Sequence, residues 1–126
     1  MGDFSKSDLT GRIIQAAMEV HRHLGPGLLE SAYEKCLCRE LGLQDIEQKS
    51  QLALPVSYKG EQLDCGYRID LLVEDTIIIE LKAVEKILPI HEAQLLTYMK
   101  LTKKQIGLIL NFHSQLLKDG IKRMII

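Results

Sequence analysis

Three charged residues interrupt the greasy stretch "DLLVEDTIIIELK": Asp70 at its start and Glu80 and Lys82 at its end. In a β-strand, residues two apart share a face, so Glu80 and Lys82 point the same way. If Glu74-Asp75-Thr76 forms a three-residue loop between two antiparallel strands, Val73 pairs with Ile77. Counting back, Asp70 then lies opposite Glu80 and Arg68 opposite Lys82, on a shared face. A two-residue loop would send Asp70 to the other face. Two facing carboxylates repel, and each raises the other's pKa, unless a positive charge sits between them. A divalent cation does this, and Mg²⁺ typically takes one or two carboxylates while keeping several waters. Water on such a cation is acidified and becomes a nucleophile. Lys82 beside it could orient that water or stabilise charge developing on a phosphate. The triplet is therefore a sufficient kit for metal-assisted phosphodiester hydrolysis. Read plainly, the same residues are strand-end charges with an ordinary Glu-x-Lys surface pair.

Other residues could join such a site. Glu30 and Tyr33 stand three apart on the second predicted helix and share a face. Glu30 lies in the first turn, where a carboxylate also complements the helix dipole; its alternative role is a third carboxylate reaching the metal directly or through water. In "PIHEAQLLTYMKL", His91, Gln94, Leu95 and Tyr98 follow a continuous helical stripe, and three of the four are polar. Gln94 and Tyr98, directed at the strand carrying Lys82, could hydrogen-bond the lysine or a phosphate. His91 suits either a capping role at the start of its helix or the site, and His21 reads as a hydrogen-bonded core histidine. Basic residues gather late in the chain, at Lys100, Lys103, Lys104, Lys118, Lys122 and Arg123. They form either a solvated surface or a local patch that tracks phosphates. Cys36, Cys38 and Cys65 lack a zinc-type ligand spacing and read as reduced, partly buried thiols.

These side chains must be positioned by a small set of elements. Helical periodicity runs from Ser5 or Ser7 to Leu24, with Ile13, Ile14, Ala17, Met18, His21 and Leu24 near one stripe. Gly25-Pro26-Gly27 breaks it into a tight corner. A second helix spans about Leu28 to Leu41, its apolar face formed by Leu29, Ala32, Tyr33, Cys36, Leu37 and Leu41. The period then changes, and three antiparallel strands are expected at about 47–58, 61–73 and 77–84, with turns at Lys59-Gly60 and Glu74-Asp75-Thr76. Pro89 opens a third helix over about 90–101, with Ile90, Ala93, Leu96 and Leu101 offering apolar contact on its other side. "QIGLILNF" (105–112) is a further strand, "HSQLLKDG" a loop and "IKRMII" a short last strand. Strands 77–84 and 105–112 are joined through a helix, so they should run parallel, and their continuous apolarity suits central strands covered on both faces. The order is ααβββαβ(β), an α/β protein whose mixed sheet packs against helices.

At 126 residues the chain suits a single domain, 1–126, with one modest core. Aromatics are only 5% and Trp is absent, so Leu and Ile must fill that core. Net charge is −1, which excludes a global basic field; any polyanion must be met by a local patch or through metal ions. The chain shows neither a long apolar leader nor an apolar run near membrane-spanning length, so the expected location is cytoplasmic.

The motifs also carry a resemblance. "GPGLLESAY" contains Gly27-x-x-Glu30-x-x-Tyr33, which resembles the signature of the GxxExxY proteins of the PD-(D/E)XK nuclease superfamily. "ELKAVEKILPIHEAQLLTYMKLT" and "GLILNFHSQLLKDGIKRMI" are similar to that family almost throughout, and the resemblance runs from about residue 8 to the end. It implies a restriction-endonuclease-like αβββαβ core and a nuclease using Mg²⁺, with Mn²⁺ as a substitute, on nucleic acid, with DNA favoured over RNA. By position, Asp70 resembles the superfamily's metal-binding aspartate, Glu80 its second acidic ligand, Lys82 its catalytic lysine and Glu30 its helical acidic residue. Gln94-x-x-x-Tyr98 resembles the QxxxY motif of the exonuclease-like branch, which helps position the lysine and substrate. Ile69 stands where the superfamily often has Pro. Arg68 would contact phosphate, and a homodimer would add nucleic-acid contacts that so small a domain lacks. The alternative from a different class is a nuclease-like fold that binds nucleic acid or a protein without cutting.

Overall fold

A computed structural model of the chain describes residues 6–126. Helix α1 (Lys6–Leu24) therefore begins at the first described residue, and a start at Ser5 lies outside the described residues. Its buried stripe is Ile13, Ala16, Ala17, Val20 and His21, whereas Met18 and Leu24 are exposed. The stripe is thus rotated from the expected one, since two alanines let the helix lie close to its neighbours. Gly25 and Gly27 adopt positive φ (66° and 106°), which lets the Gly-Pro-Gly corner turn the chain into α2 (Glu30–Leu43). Tyr33, Leu37 and Leu41 bury its inner face; Leu29 and Cys36, expected there, are exposed.

The first two expected strands are each split. The chain forms β1 (Gln48–Ala53) and β2 (Val56–Tyr58), then β3 (Glu61–Leu63) and β4 (Arg68–Val73). Leu54-Pro55 makes the first break, because proline has no amide hydrogen to extend a ladder. Gly66, at φ 83° and bonded to Asp64 Oδ1, makes the second. β2 and β3 form a small separate hairpin whose two-residue turn places Lys59 and Gly60 at positive φ.

β5 (Ile77–Lys82), α3 (Pro89–Thr102), β6 (Ile106–Asn111), a 3₁₀ turn (Leu117–Gly120) and β7 (Ile121–Ile125) complete the chain. The main sheet runs β1-β4-β5-β6-β7, with β5 and β6 parallel and the other pairs antiparallel. It is the mixed sheet of an α/β fold flanked by helices, consistent with a restriction-endonuclease-like core. One face packs Leu71, Val73, Ile77, Ile79, Leu81, Leu108, Leu110 and Phe112 against α1 and α2. The other packs Leu72, Ile78 and Ile109 against Leu95, Tyr98 and Met99 of α3. The apolar side of α3 expected from Ile90, Ala93 and Leu101 is exposed instead. Gly107 on β6 permits the observed docking: a Cβ there would come within 2.7 Å of Met99 Sδ. Among the described residues, no helix is long and apolar enough to cross a membrane.

Candidate active site

The turn after β4 has odd parity. Val73 pairs with Ile77, Leu72 with Ile78 and Leu71 with Ile79. Glu74 and Asp75 both take φ 51°, and Thr76 N–H donates to the Val73 carbonyl at 2.9 Å. The register brings Asp70 round to Glu80, but the pairing there is unusual. Past Leu71–Ile79 the ladder is no longer backbone to backbone. Asp70 N–H donates to Glu80 Oε2 (3.2 Å), and Leu81 N–H donates to Asp70 Oδ2 (2.8 Å). Each strand's carboxylate takes an amide hydrogen of the other, so the strands separate while their donors stay satisfied. The expected pairing of Arg68 with Lys82 does not form. Arg68 Nη1 instead donates to the Tyr67 carbonyl at 2.8 Å and meets Asp64 Oδ1 at 3.4 Å.

Charge in this cleft is costly. Glu80 is only 7% exposed. Burial, then the neighbouring Asp70 charge, pushes its carboxyl up to about 8, against relief from the Asp70 amide and Lys82. Burial also raises Asp70, opposed chiefly by the Leu81 amide and Gln51, and Glu30 adds to the rise. Lys82 lowers both carboxyls, so it stands within electrostatic reach of the pair. Glu30 Oε2 accepts the Ala83 N–H at 3.1 Å and so sits just beyond Lys82. Among the described residues, no group of three His, Cys, Asp or Glu is arranged to hold a metal. A buried and a half-buried carboxylate on facing strands nevertheless match what Mg²⁺ asks of a protein, and a cation would relieve the repulsion between them.

α3 brings its polar residues to this cleft in part. Tyr98 is buried against the sheet; burial and then the Glu80 charge raise its hydroxyl's pKa. Gln94 Nε2 donates to the Tyr98 hydroxyl at 3.1 Å. His91 Nδ1 accepts the Leu88 N–H at 3.0 Å and so caps the helix. Tyr33 is fully buried, stacked on Phe112 at 4.4 Å. Its hydroxyl donates to the Gly25 carbonyl (2.6 Å) and accepts the Leu28 N–H (3.1 Å), so it braces the corner that presents Glu30. His21 is buried, with Nε2 2.8 Å from the Ser114 carbonyl.

Three residues escaped sequence reasoning. Gln51 takes φ 52° inside β1, a strained value for a non-glycine residue. Its Nε2 donates to Glu34 Oε1 (2.6 Å) and to Asp70 Oδ1 (3.3 Å). Glu34, raised chiefly by burial, lies four residues after Glu30, and that helical spacing was its available signal. Asn111, 2% exposed, clamps the chain beyond Lys82: its Nδ2 donates to the Val84 carbonyl (2.8 Å) and its Oδ1 accepts the Val84 N–H (3.1 Å).

A family model described as the PD-(D/E)XK nuclease superfamily matches residues 7–124. No match is found among curated proteins, nor among solved structures.

Proposed function

Since this chain belongs to the PD-(D/E)XK nuclease superfamily, we propose that it is a metal-dependent nuclease that hydrolyses phosphodiester bonds, DNA before RNA. The observation that carries this is the exchange of ladder hydrogen bonds between the Asp70 and Glu80 carboxylates at the mouth of two separating strands. A buried carboxyl beside a second carboxylate costs stability when it ionises, and a cation between the two would offset that cost. Asp70 and Glu80 would hold Mg²⁺, or Mn²⁺ in its place, with Glu30 as the third carboxylate, directly or through water. When bound, the cation supplies Lewis-acid activation and neutralises the carboxylate pair.

The chain's own residues do the rest. Lys82, on the face shared with Glu80, orients the attacking water and meets charge developing on the phosphate. Tyr98, held by Gln94, positions Lys82 and the substrate at the edge of α3. Arg68 contacts a phosphate at the rim, and Tyr33 and His91 support Glu30 and α3 through the bonds described above. A homodimer would extend the nucleic-acid contacts of this small domain.

The test is cleavage of labelled single- and double-stranded DNA and RNA with Mg²⁺ or Mn²⁺, with Asp70→Ala and Lys82→Ala as controls. Cleavage by the native chain that both substitutions abolish is expected. Substrates left equally intact by all three proteins would refute the enzyme. The net charge of −1 and the sparse aromatics, 5% of residues, favour one second reading, a nuclease-like module that binds nucleic acid or a protein partner without cutting. Metal-independent binding with no cleavage would support it.

A further inference from the structure

A groove of about 550 Å³ runs between α3 and the β2–β3 hairpin, lined among others by Val56, Tyr67, Ile90, Gln94, Tyr98 and Leu101. Large apolar side chains form much of its wall: Ile90 is 68% exposed, Leu101 47% and Tyr67 45%. This is the side of α3 that the sheet leaves uncovered. At the inner end, Tyr67 meets Tyr98 edge-on, with ring centroids 6.1 Å apart and planes at 66°. Tyr98 and Gln94 therefore belong to two places, the groove and the edge of the carboxylate cleft.

That continuity limits what can occupy the groove. A strand bound by its phosphate at Asp70 and Glu80 would run past the edge of α3 where Tyr98 and Gln94 line the groove. The chain's net charge of −1 gives no general attraction for phosphates, so contacts to bases would add affinity that a local basic patch and metal ions must otherwise supply alone. Bases inside an intact duplex have their faces covered by neighbours, and only an unstacked base can enter a pocket of this size. We propose that the groove takes one unstacked nucleobase of the strand being cut, with Tyr67 as its stacking platform, so that single-stranded or end-frayed nucleic acid is preferred over intact duplex. The proposal rests on the nuclease function above, because that places the phosphate. Gln94 supplies a polar group for the base edge, and the exposed Ile90 and Leu101 close over its apolar face.

Binding separates this from catalysis. Fluorescence anisotropy with Ca²⁺ in place of Mg²⁺ would follow a labelled strand of about 12 thymidines, its uridine counterpart and a blunt duplex of equal length. The native chain is expected to bind both single strands more tightly than the duplex. Tyr67→Ala should weaken single-strand binding by about tenfold, the loss of one base–aromatic stack, and leave duplex binding unchanged. Tyr67→Phe should bind as the native chain does. Ile90→Glu, on the exposed rim, should weaken single-strand binding without unfolding the protein. Tyr67→Ala protein that is folded by circular dichroism yet binds single strands like the native chain would overturn the proposal. So would Ile90→Glu turning a dimer into a monomer with binding intact, because a second copy would then fill the groove. Binding through Tyr67 with no cleavage in Mg²⁺ would keep the groove and refute the nuclease. Cleavage of single strands indifferent to Tyr67→Ala would keep the nuclease and refute the groove.

Discussion

Glu80→Gln should make the metal-free protein more stable, and increasingly so as pH rises. The ordinary glutamate value is 4.5, and burial beside Asp70 takes Glu80 to about 8. Between these values the folded chain holds a proton that the unfolded chain has released. Stability is therefore greatest below the lower value and falls as pH rises toward the upper one. The gap corresponds to about 5 kcal/mol once pH exceeds both values, at ~1.4 kcal/mol for each tenfold step. At about pH 5 the penalty is only about 1 kcal/mol, and at about pH 8 it is on the order of 4 kcal/mol. Glutamine is neutral throughout and keeps an oxygen for the Asp70 amide. The stability difference between Glu80→Gln and the native chain should thus grow by about 3 kcal/mol from pH 5 to pH 8. Asp70, relieved of a charged neighbour, changes in the same direction. Urea denaturation in EDTA at both pH values measures this directly. A difference that stays flat across that range would refute a buried, strained Glu80 and the cleft that makes it so.

Added Mg²⁺ should bind more tightly at about pH 8 than at about pH 6, by 10- to 100-fold, because a proton on Glu80 competes with the cation; calorimetric titration at the two pH values checks this. Lys82→Ala should lower cleavage by about 10²-fold or more, because the proposed mechanism gives its ammonium the attacking water and the developing phosphate charge; rates of native and variant protein in the same Mg²⁺ assay check this. Tyr33→Phe keeps the stack on Phe112 but strands the Leu28 amide and Gly25 carbonyl, which should cost about 1–2 kcal/mol in denaturant unfolding. A Cβ at Gly120 would meet the Asn111 carbonyl oxygen at 2.5 Å, whereas one at Gly107 would meet only the side-chain ends of Met99 and Leu95. Gly120→Ala should therefore destabilise by about 2–3 kcal/mol and Gly107→Ala by about 1 kcal/mol, and thermal melts of the two would rank them.

Much of the frame is legible in local pattern. The continuous apolar runs at 77–84 and 105–112 mark central strands because both faces of β5 and β6 are covered. A turn at Glu74-Asp75-Thr76 is legible, but its parity, which sets the face that Asp70 takes, was fixed only by the observed pairing of Val73 with Ile77. The helix between those strands forces them parallel. Glu80 and Lys82 could be placed on one face from this without coordinates, and Asp70 beside them only once the turn's parity was seen. Tertiary structure decided the rest, since it depends on contacts between distant residues. Either side of α3 offered apolar residues, and the space above Gly107 selected Leu95, Tyr98 and Met99. Arg68 parted from Lys82 because the strands separate where carboxylates replace the backbone ladder. Gln51, strained in β1, joins Glu34 on α2 to Asp70 on β4, three elements that no sequence period relates. The high pKa of Glu80 arises only when the closed sheet and α3 exclude water from it, for desolvation is a property of the assembled chain and not of any residue in it.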